Sequence, residues 1–251
     1  LAKTRINTVL IIAHRGASGE YPENSTLAIK KAIEQGADGI EIDIQHHRAS
    51  GEFIVFHDRD LSRLTSKLGT INNFTLDELL QTTIGQEQTI ITLEQAIALI
   101  PEDILLNIEL KISASEQSII DLVIKKLERV LRNAVSHNKI KWSQLYISSF
   151  NHYLIQSGSL VLPKVQFAAL IAHCPLNYAQ FSEKMQLSGV NQDIDCLNQE
   201  LVNDIHQRGL SCWVYTVDNI DDIEKCLLYK VDAIFTNFPQ QTRDKVNTIC
   251  H

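Results

Sequence analysis

Ionisable residues suited to moving protons and binding a cation cluster in three short segments near the start of the chain. These are Ala13-His14-Arg15-Gly16, Glu41-Ile42-Asp43 and Val55-Phe56-His57-Asp58, and Ile108-Glu109-Leu110-Lys111 adds a fourth further on. Glu41, Asp43 and Glu109 offer hard carboxylate oxygens, which select calcium or magnesium over softer metals. His14 and His57 titrate near neutral pH and can divide two proton transfers as an acid and base pair. Arg15 and Lys111 suit an anionic phosphoryl group, the first as a fork and the second as a point charge. Together they fit phosphodiester cleavage, in which cations offset charge on the phosphoryl oxygens and the imidazoles carry protons. Spacing alone leaves plainer alternatives open: strand carboxylates facing solvent or paired with Lys111, and histidines that only hold structure.

Each segment lies in or directly after a strand-like run, and a strand end can hold a side chain to catalytic tolerance. Val9 to Ala13 is an uninterrupted apolar run of the kind buried on both faces of a parallel sheet. Asn24 or Ser25 can cap a helix carrying Leu27, Ala28, Ala32 and Ile33, with Gly36 at its end. Gly39 to Gln45 alternates, placing Ile40, Ile42 and Ile44 on one face and Glu41, Asp43 and Gln45 on the other. The same alternation sets Asn107, Glu109 and Lys111 on one face of residues 104–111. If those polar faces point inward, two carboxylates together are costly unless a cation accompanies them.

Phe53 to Phe56 follows too closely for a helical crossover, which leaves a hairpin and a tight return loop both open. Residues 58–92 carry short helical signals without a convincing strand and read as an insertion that covers the site. Thr92 caps a helix from Leu93 to Ile100, and residues 115–135 form a long amphipathic one. Further strands are expected at 145–150, 165–172, 212–217 and 233–235, more weakly at 189–194, with helices at 199–207 and 220–229. The economical reading is α/β, a TIM-type (β/α)8 barrel over residues 1–251 as a single domain. It lacks a helix between its second and third strands and carries the small insertion after the third. A doubly wound open sheet is the alternative, but no G-x-G-x-x-G follows the first strand.

A formal charge of −7 argues against general attraction to nucleic acid or anionic lipid. The five cysteines, Cys174, Cys196, Cys212, Cys226 and Cys250, are odd in number and lack C-x-x-C spacing. No disulfide framework is expected, and a cytoplasmic protein fits best. The apolar run at Val9 to Ala13 is too short for a signal peptide core or a membrane span.

His14-Arg15-Gly16, Pro22-Glu23-Asn24-Ser25, Gly39 through Gln45 and Val55-Phe56-His57-Asp58 together resemble the signature of the glycerophosphodiester phosphodiesterase family. The similarity continues through Ile108 to Lys111, Ser148-Ser149-Phe150, Gly209 through Asp218 and Phe235-Thr236-Asn237, with the cytoplasmic bacterial branch the nearest likeness. The resemblance implies a barrel enzyme that hydrolyses glycerophosphodiesters to sn-glycerol 3-phosphate and an alcohol in glycerophospholipid degradation. It implies one divalent cation, Mg or Ca, on Glu41, Asp43 and Glu109, with His14 and His57 as the acid and base pair and Arg15 and Lys111 on the phosphate. It also implies a cyclic phosphate intermediate. Glu23 matches a position near the site. The implied partner is a small-molecule glycerophosphodiester, with no nucleic acid and no stable membrane insertion.

Three positions depart from the family pattern. Tyr215 and Asp218 end a segment where many members carry W-T-V-N, and Asn237 replaces the Asp of a common T-D-x-P motif. Trp213 shares a strand face with Tyr215, so both are candidates to line the site. These departures are expected to leave the metal and proton-transfer residues untouched. The competing readings are a lysophospholipase D-like or phospholipase C-like barrel, or a non-catalytic phosphodiester-binding protein.

Overall fold

Alternating strands and helices arrange the chain in a computed structural model that describes residues 9–112 and 114–250. β1 (Leu10–Ala13) leads to α1 (Thr26–Glu34), β2 (Gly39–His46) and β3 (Phe53–Val55). Two single-turn 3-10 segments precede α2 (Leu76–Leu80), β4 (Thr83–Gly85), β5 (Gln88–Thr89), β6 (Ile91–Thr92) and α3 (Leu93–Ile97). The second half alternates: β7 (Leu105–Lys111), α4 (Ile120–Ser136), β8 (Leu145–Ser149), α5 (His152–Val161), β9 (Gln166–Ile171) and α6 (Gln180–Lys184). It ends with β10 (Gly189–Asp193), α7 (Gln199–Gln207), β11 (Ser211–Tyr215), α8 (Ile220–Tyr229), β12 (Ala233–Thr236) and α9 (Pro239–Cys250).

Eight parallel strands run in the order β1-β12-β11-β10-β9-β8-β7-β2, and a β1–β2 pairing closes them into the expected barrel. The nine strand candidates in the sequence therefore comprise eight staves and one extra. The extra one is β3, which pairs antiparallel with the far end of β2 and with β6. Phe53 is thus not a stave, and the missing helix does not lie between two staves. A hairpin and the small elements of residues 58–97 replace one crossover. That stretch also contains the short strands β4, β5 and β6, which were not expected from its sequence because two- and three-residue strands carry too little alternation to register. Helices α5, α6 and α9 complete the β/α alternation expected of the barrel, at positions that the sequence pattern does not mark individually.

The aliphatic halves of the alternating strands explain why the polar halves face inward. Ile40, Ile42, Ile44, Leu106, Ile108 and Leu110 are all fully buried in one cluster with Ile29, Ala32, Val123, Ile124 and Leu127 of α1 and α4. Each such side chain contributes about 1.5–3 kcal/mol on burial. A one-residue slip would move the whole set to the other face, so this burial fixes which side Glu41, Asp43 and Glu109 occupy. Ser25 caps α1 by accepting from Ala28 N, and Gly36 follows its end at φ +77°. All five cysteines are free thiols.

Candidate active site

Register brings the acidic residues together. In the parallel β2–β7 pair Asp43 lies beside Glu109 and Glu41 beside Asn107, so side chains from both strands share the barrel interior. One carboxylate oxygen from each of Glu41, Asp43 and Glu109 lies within 4.8 Å of the others, and all three residues are buried. The opposite oxygens of Glu41 and Asp43 are held from behind. Arg15 N donates to Glu41 Oε2 at 2.8 Å, and Asn24 Nδ2 donates to Asp43 Oδ2 at 2.9 Å. Glu41 Oε1 is buried without a hydrogen-bond partner, while Asp43 Oδ1 and Glu109 Oε1 meet the Lys111 ammonium at ion-pair range without hydrogen-bond alignment.

Buried carboxylates this close cannot all ionise on their own. Burial and the neighbouring Asp43 and Glu109 push Glu41 well above the usual carboxylate range. Burial and Asp43 raise Glu109 to about 7. Burial opposes ionisation of Asp43 too, but Lys111 and Arg15 outweigh it and hold that carboxyl below its ordinary value. Three hard oxygens converging on one point, one orphaned and two facing the Lys111 ammonium, fit a divalent cation.

Backbone geometry at the end of β1 aims the next residues. Arg15 and Asn24 both adopt left-handed conformations, φ 57° and 58°, and Asn24 N donates to Arg15 O at 3.0 Å. Gly16 between them is obligatory: at φ +79°, an added Cβ would sit 2.6 Å from the Ala28 carbonyl carbon. Arg15 is thereby placed with Nε 3.2 Å from Asp43 and Nη1 3.0 Å from Glu23.

His57 is delivered by the hairpin. Phe56 N donates to Asp43 O, and Gln45 Nε2 donates to Phe56 O and Asp58 O, both at 2.8 Å, which pins the turn around His57. Its Nδ1 lies 2.7 Å from Asp58 Oδ1. The Arg63 guanidinium binds Asp58 on one side and both oxygens of Glu23 on the other, at 2.9 and 2.7 Å. Those bonds, with that from His57, hold Asp58 near 2. A continuous chain therefore runs His57–Asp58–Arg63–Glu23–Arg15. Arg63 had no signal in the sequence beyond its place in the covering segment, which does reach the site as expected.

His14 stands on the other side. Thr236 lies beside Ala13 in the β1–β12 register, so Asn237 comes next to His14, and Asn237 Oδ1 lies 2.8 Å from His14 Nδ1. This overturns one expectation: the Asn237 departure does touch a candidate proton carrier. Burial, and then Arg15, lower His14 to about 4.

A cavity of about 550 Å³, in the range of small-molecule sites, is bounded by His14, Arg15, Glu41, His57, Lys111 and Tyr215. A second of about 450 Å³ adjoins it at His57, Lys111 and Phe150, with Arg48, Arg59 and Asn72 along its outer part. All seven residues predicted for the chemistry thus converge. Of the three candidate lining residues, Tyr215 borders the cavity and donates to Ile171 O at 3.0 Å, while Glu23 stands behind Arg15. Trp213 lies within the barrel core against Tyr146, ring centroids 4.5 Å apart, and Phe235. Among the described residues no helix is long and apolar enough to cross a membrane.

Comparison with known proteins agrees with this geometry. Residues 14–241 match the model of the glycerophosphoryl diester phosphodiesterase family. A glycerophosphodiester phosphodiesterase of Caldanaerobacter subterraneus is 30% identical over 239 residues, covering 92% of this chain and 95% of its own. The uncharacterized protein YqiK of Bacillus subtilis is 31% identical over 241 residues, covering 92% of this chain and 96% of its own. An Oleispira antarctica phosphodiesterase solved with its product sn-glycerol-3-phosphate superposes with a TM-score of 0.86 at 27% identity, over 96% of this chain and 97% of its own. A barrel that gathers these residues, matched along nearly its whole length, belongs to the glycerophosphoryl diester phosphodiesterase family.

Proposed function

We propose that this phosphodiesterase hydrolyses glycerophosphodiesters to sn-glycerol 3-phosphate and an alcohol, with one divalent cation, Mg or Ca, and the His14/His57 pair. The observation that carries the reading is the convergence of three buried carboxylates with both imidazoles and two cationic side chains on one cavity. Glu41, Asp43 and Glu109 would hold the cation, which when bound supplies Lewis-acid polarisation of a phosphoryl oxygen. Arg15 and Lys111 bind the remaining phosphoryl charge. The glycerol 2-hydroxyl attacks phosphorus, its proton passing to one imidazole, and the bond to the leaving alcohol breaks as the other imidazole protonates that oxygen. Water then opens the cyclic phosphate at the 2-oxygen with the two proton transfers reversed, restoring both histidines. The product is the molecule that the Oleispira relative binds. Five free thiols fit a reducing compartment, the cytoplasm, and the proposed substrate class fits a role in glycerophospholipid degradation.

The carboxylate cluster gives the reading a test on stability. Without a cation, the folded cluster keeps a proton on Glu109 up to about 7, which an unfolded glutamate releases near its ordinary value. The folded state then binds more protons than the unfolded one, so stability falls as pH rises through that window. The depressed carboxyls Asp43, Glu23 and Asp58 act in the opposite sense below it, and burial lowers His14 to about 4 and lowers His46, so both oppose the fall up to the ordinary histidine value near 6.5. Thermal unfolding in chelator should therefore drop between about pH 6.5 and about pH 8, where the raised Glu41 and Glu109 act unopposed, and magnesium should raise the midpoint more at the upper pH. Equal shifts at both would contradict a cation at these carboxylates.

Arg63 is a positioning residue in this scheme, since it touches neither cation nor phosphate. Arg63→Met should lower kcat/KM about 10- to 100-fold, as loss of an outer partner of site residues does, and Arg63→Lys should recover part of it. An unchanged kcat/KM in Arg63→Met would show that Asp58 and Glu23 need no bridge.

A further inference from the structure

The Asp218–Asn237 contact determines which nitrogen of His14 carries a proton. Asn237 N donates to Asp218 Oδ1 at 2.8 Å and Asn237 Nδ2 donates to Asp218 Oδ2 at 2.5 Å, so both nitrogens of that residue engage one carboxylate. Thr236 Oγ1 holds the same carboxylate at 3.0 Å, which fixes its position. An ionised carboxylate only accepts hydrogen bonds, so the Asn237 amide cannot be turned over without setting its oxygen against Asp218. Its oxygen therefore faces His14 Nδ1 at 2.8 Å. An amide oxygen also only accepts, which leaves Nδ1 as the donor. The neutral ring then has its lone pair on Nε2.

We propose that Asp218 and Asn237 form a positioning pair that holds His14 as the Nδ1–H tautomer, leaving Nε2 free to take the first proton of the reaction. The assignment rests on the function proposed above and deepens it by giving the two imidazoles different roles. His14 faces a neutral amide, whereas His57 faces the Asp58 carboxylate directly. An imidazole held neutral starts as base. His57 then protonates the leaving alcohol. The groups that act on His14 are consistent with a neutral ring: burial, and then Arg15, oppose its protonation and outweigh Asp43, the Asn237 hydrogen bond and Asp218, which favour it. Ser18 Oγ, 2.8 Å from Asn237 Oδ1 and 2.6 Å from His14 O, completes the setting.

The test combines nitrogen NMR of labelled protein with turnover of glycerophosphoethanolamine in Asp218→Asn, Asn237→Asp and the double exchange. In the wild type, the His14 ring should show a protonated Nδ1 and a bare Nε2 near neutral pH. Asp218→Asn frees the amide to turn, so kcat should fall about 10- to 100-fold with KM nearly constant. Asn237→Asp sets two carboxylates against each other and should lose at least as much. The double exchange restores one acid and one amide, so it should regain activity to within about threefold of the wild type. Its acidic limb in the pH profile of kcat/KM should move upward, because a carboxylate now touches His14. A wild-type ring protonated on Nε2 would overturn the proposal, as would a double exchange no better than the single variants. The NMR measurement needs no substrate. If the wild type released no product, the proposed function would fall while the tautomer would still decide the pairing.

Discussion

His57→Ala protein should release glycerol 3-phosphate about 10²- to 10⁴-fold more slowly than the wild type, the range that a positioned acid or base contributes. The substitution removes the imidazole but leaves its surroundings intact. Asp58 keeps the Arg63 guanidinium, and the hairpin is held by Gln45 through backbone carbonyls rather than through the ring. The unfolding midpoint should therefore barely change. Loss of turnover with an unchanged midpoint assigns the effect to chemistry. His14→Ala should lose a comparable amount, and the double variant should lose little more than either alone, because residues that act as a unit are not additive.

Glu41→Gln should separate stability from function. Glu41 is buried, one of its oxygens is orphaned, and burial with two acidic neighbours favours its neutral form. Gln has nearly the shape of that neutral acid and can still accept from Arg15 N. In chelator the variant should melt at the wild-type temperature or above, since one source of repulsion is gone. With magnesium the wild-type midpoint should rise while the variant's should not, and turnover should fall by at least about 100-fold, as expected when a Lewis acid is lost. A variant that melts lower in chelator yet keeps its magnesium response and turnover would remove Glu41 from the cation site.

The parts of this site legible in the sequence are those written in local periodicity. Alternation over residues 39–45 and 104–111 placed Glu41, Asp43 and Glu109 on the inner face, because the aliphatic residues between them have to meet α1 and α4. His14 and His57 were legible as residues just past strand-like runs. What the sequence did not show depends on closure and register. His14 and Asn237 are 223 residues apart and meet only because β1 pairs with β12. Arg63 reaches Glu23 across 40 residues through a segment whose elements are too short to read. Phe53–Val55 could enter by a hairpin or by a tight return loop on its sequence, because a strand's composition does not reveal its direction; it is the hairpin. Trp213 shares a strand face with Tyr215 but lies deeper in the barrel, where it packs on Tyr146 and Phe235 instead of bordering the cavity.

The most direct test of the central claim is product release from glycerophosphocholine and glycerophosphoethanolamine by purified protein, with magnesium, with calcium and with chelator, beside His57→Ala. Release of glycerol 3-phosphate in at least one metal, lost in chelator and in the variant, is the predicted result. Folded protein that releases nothing from either substrate in either metal, or that releases it equally in chelator, would contradict the account.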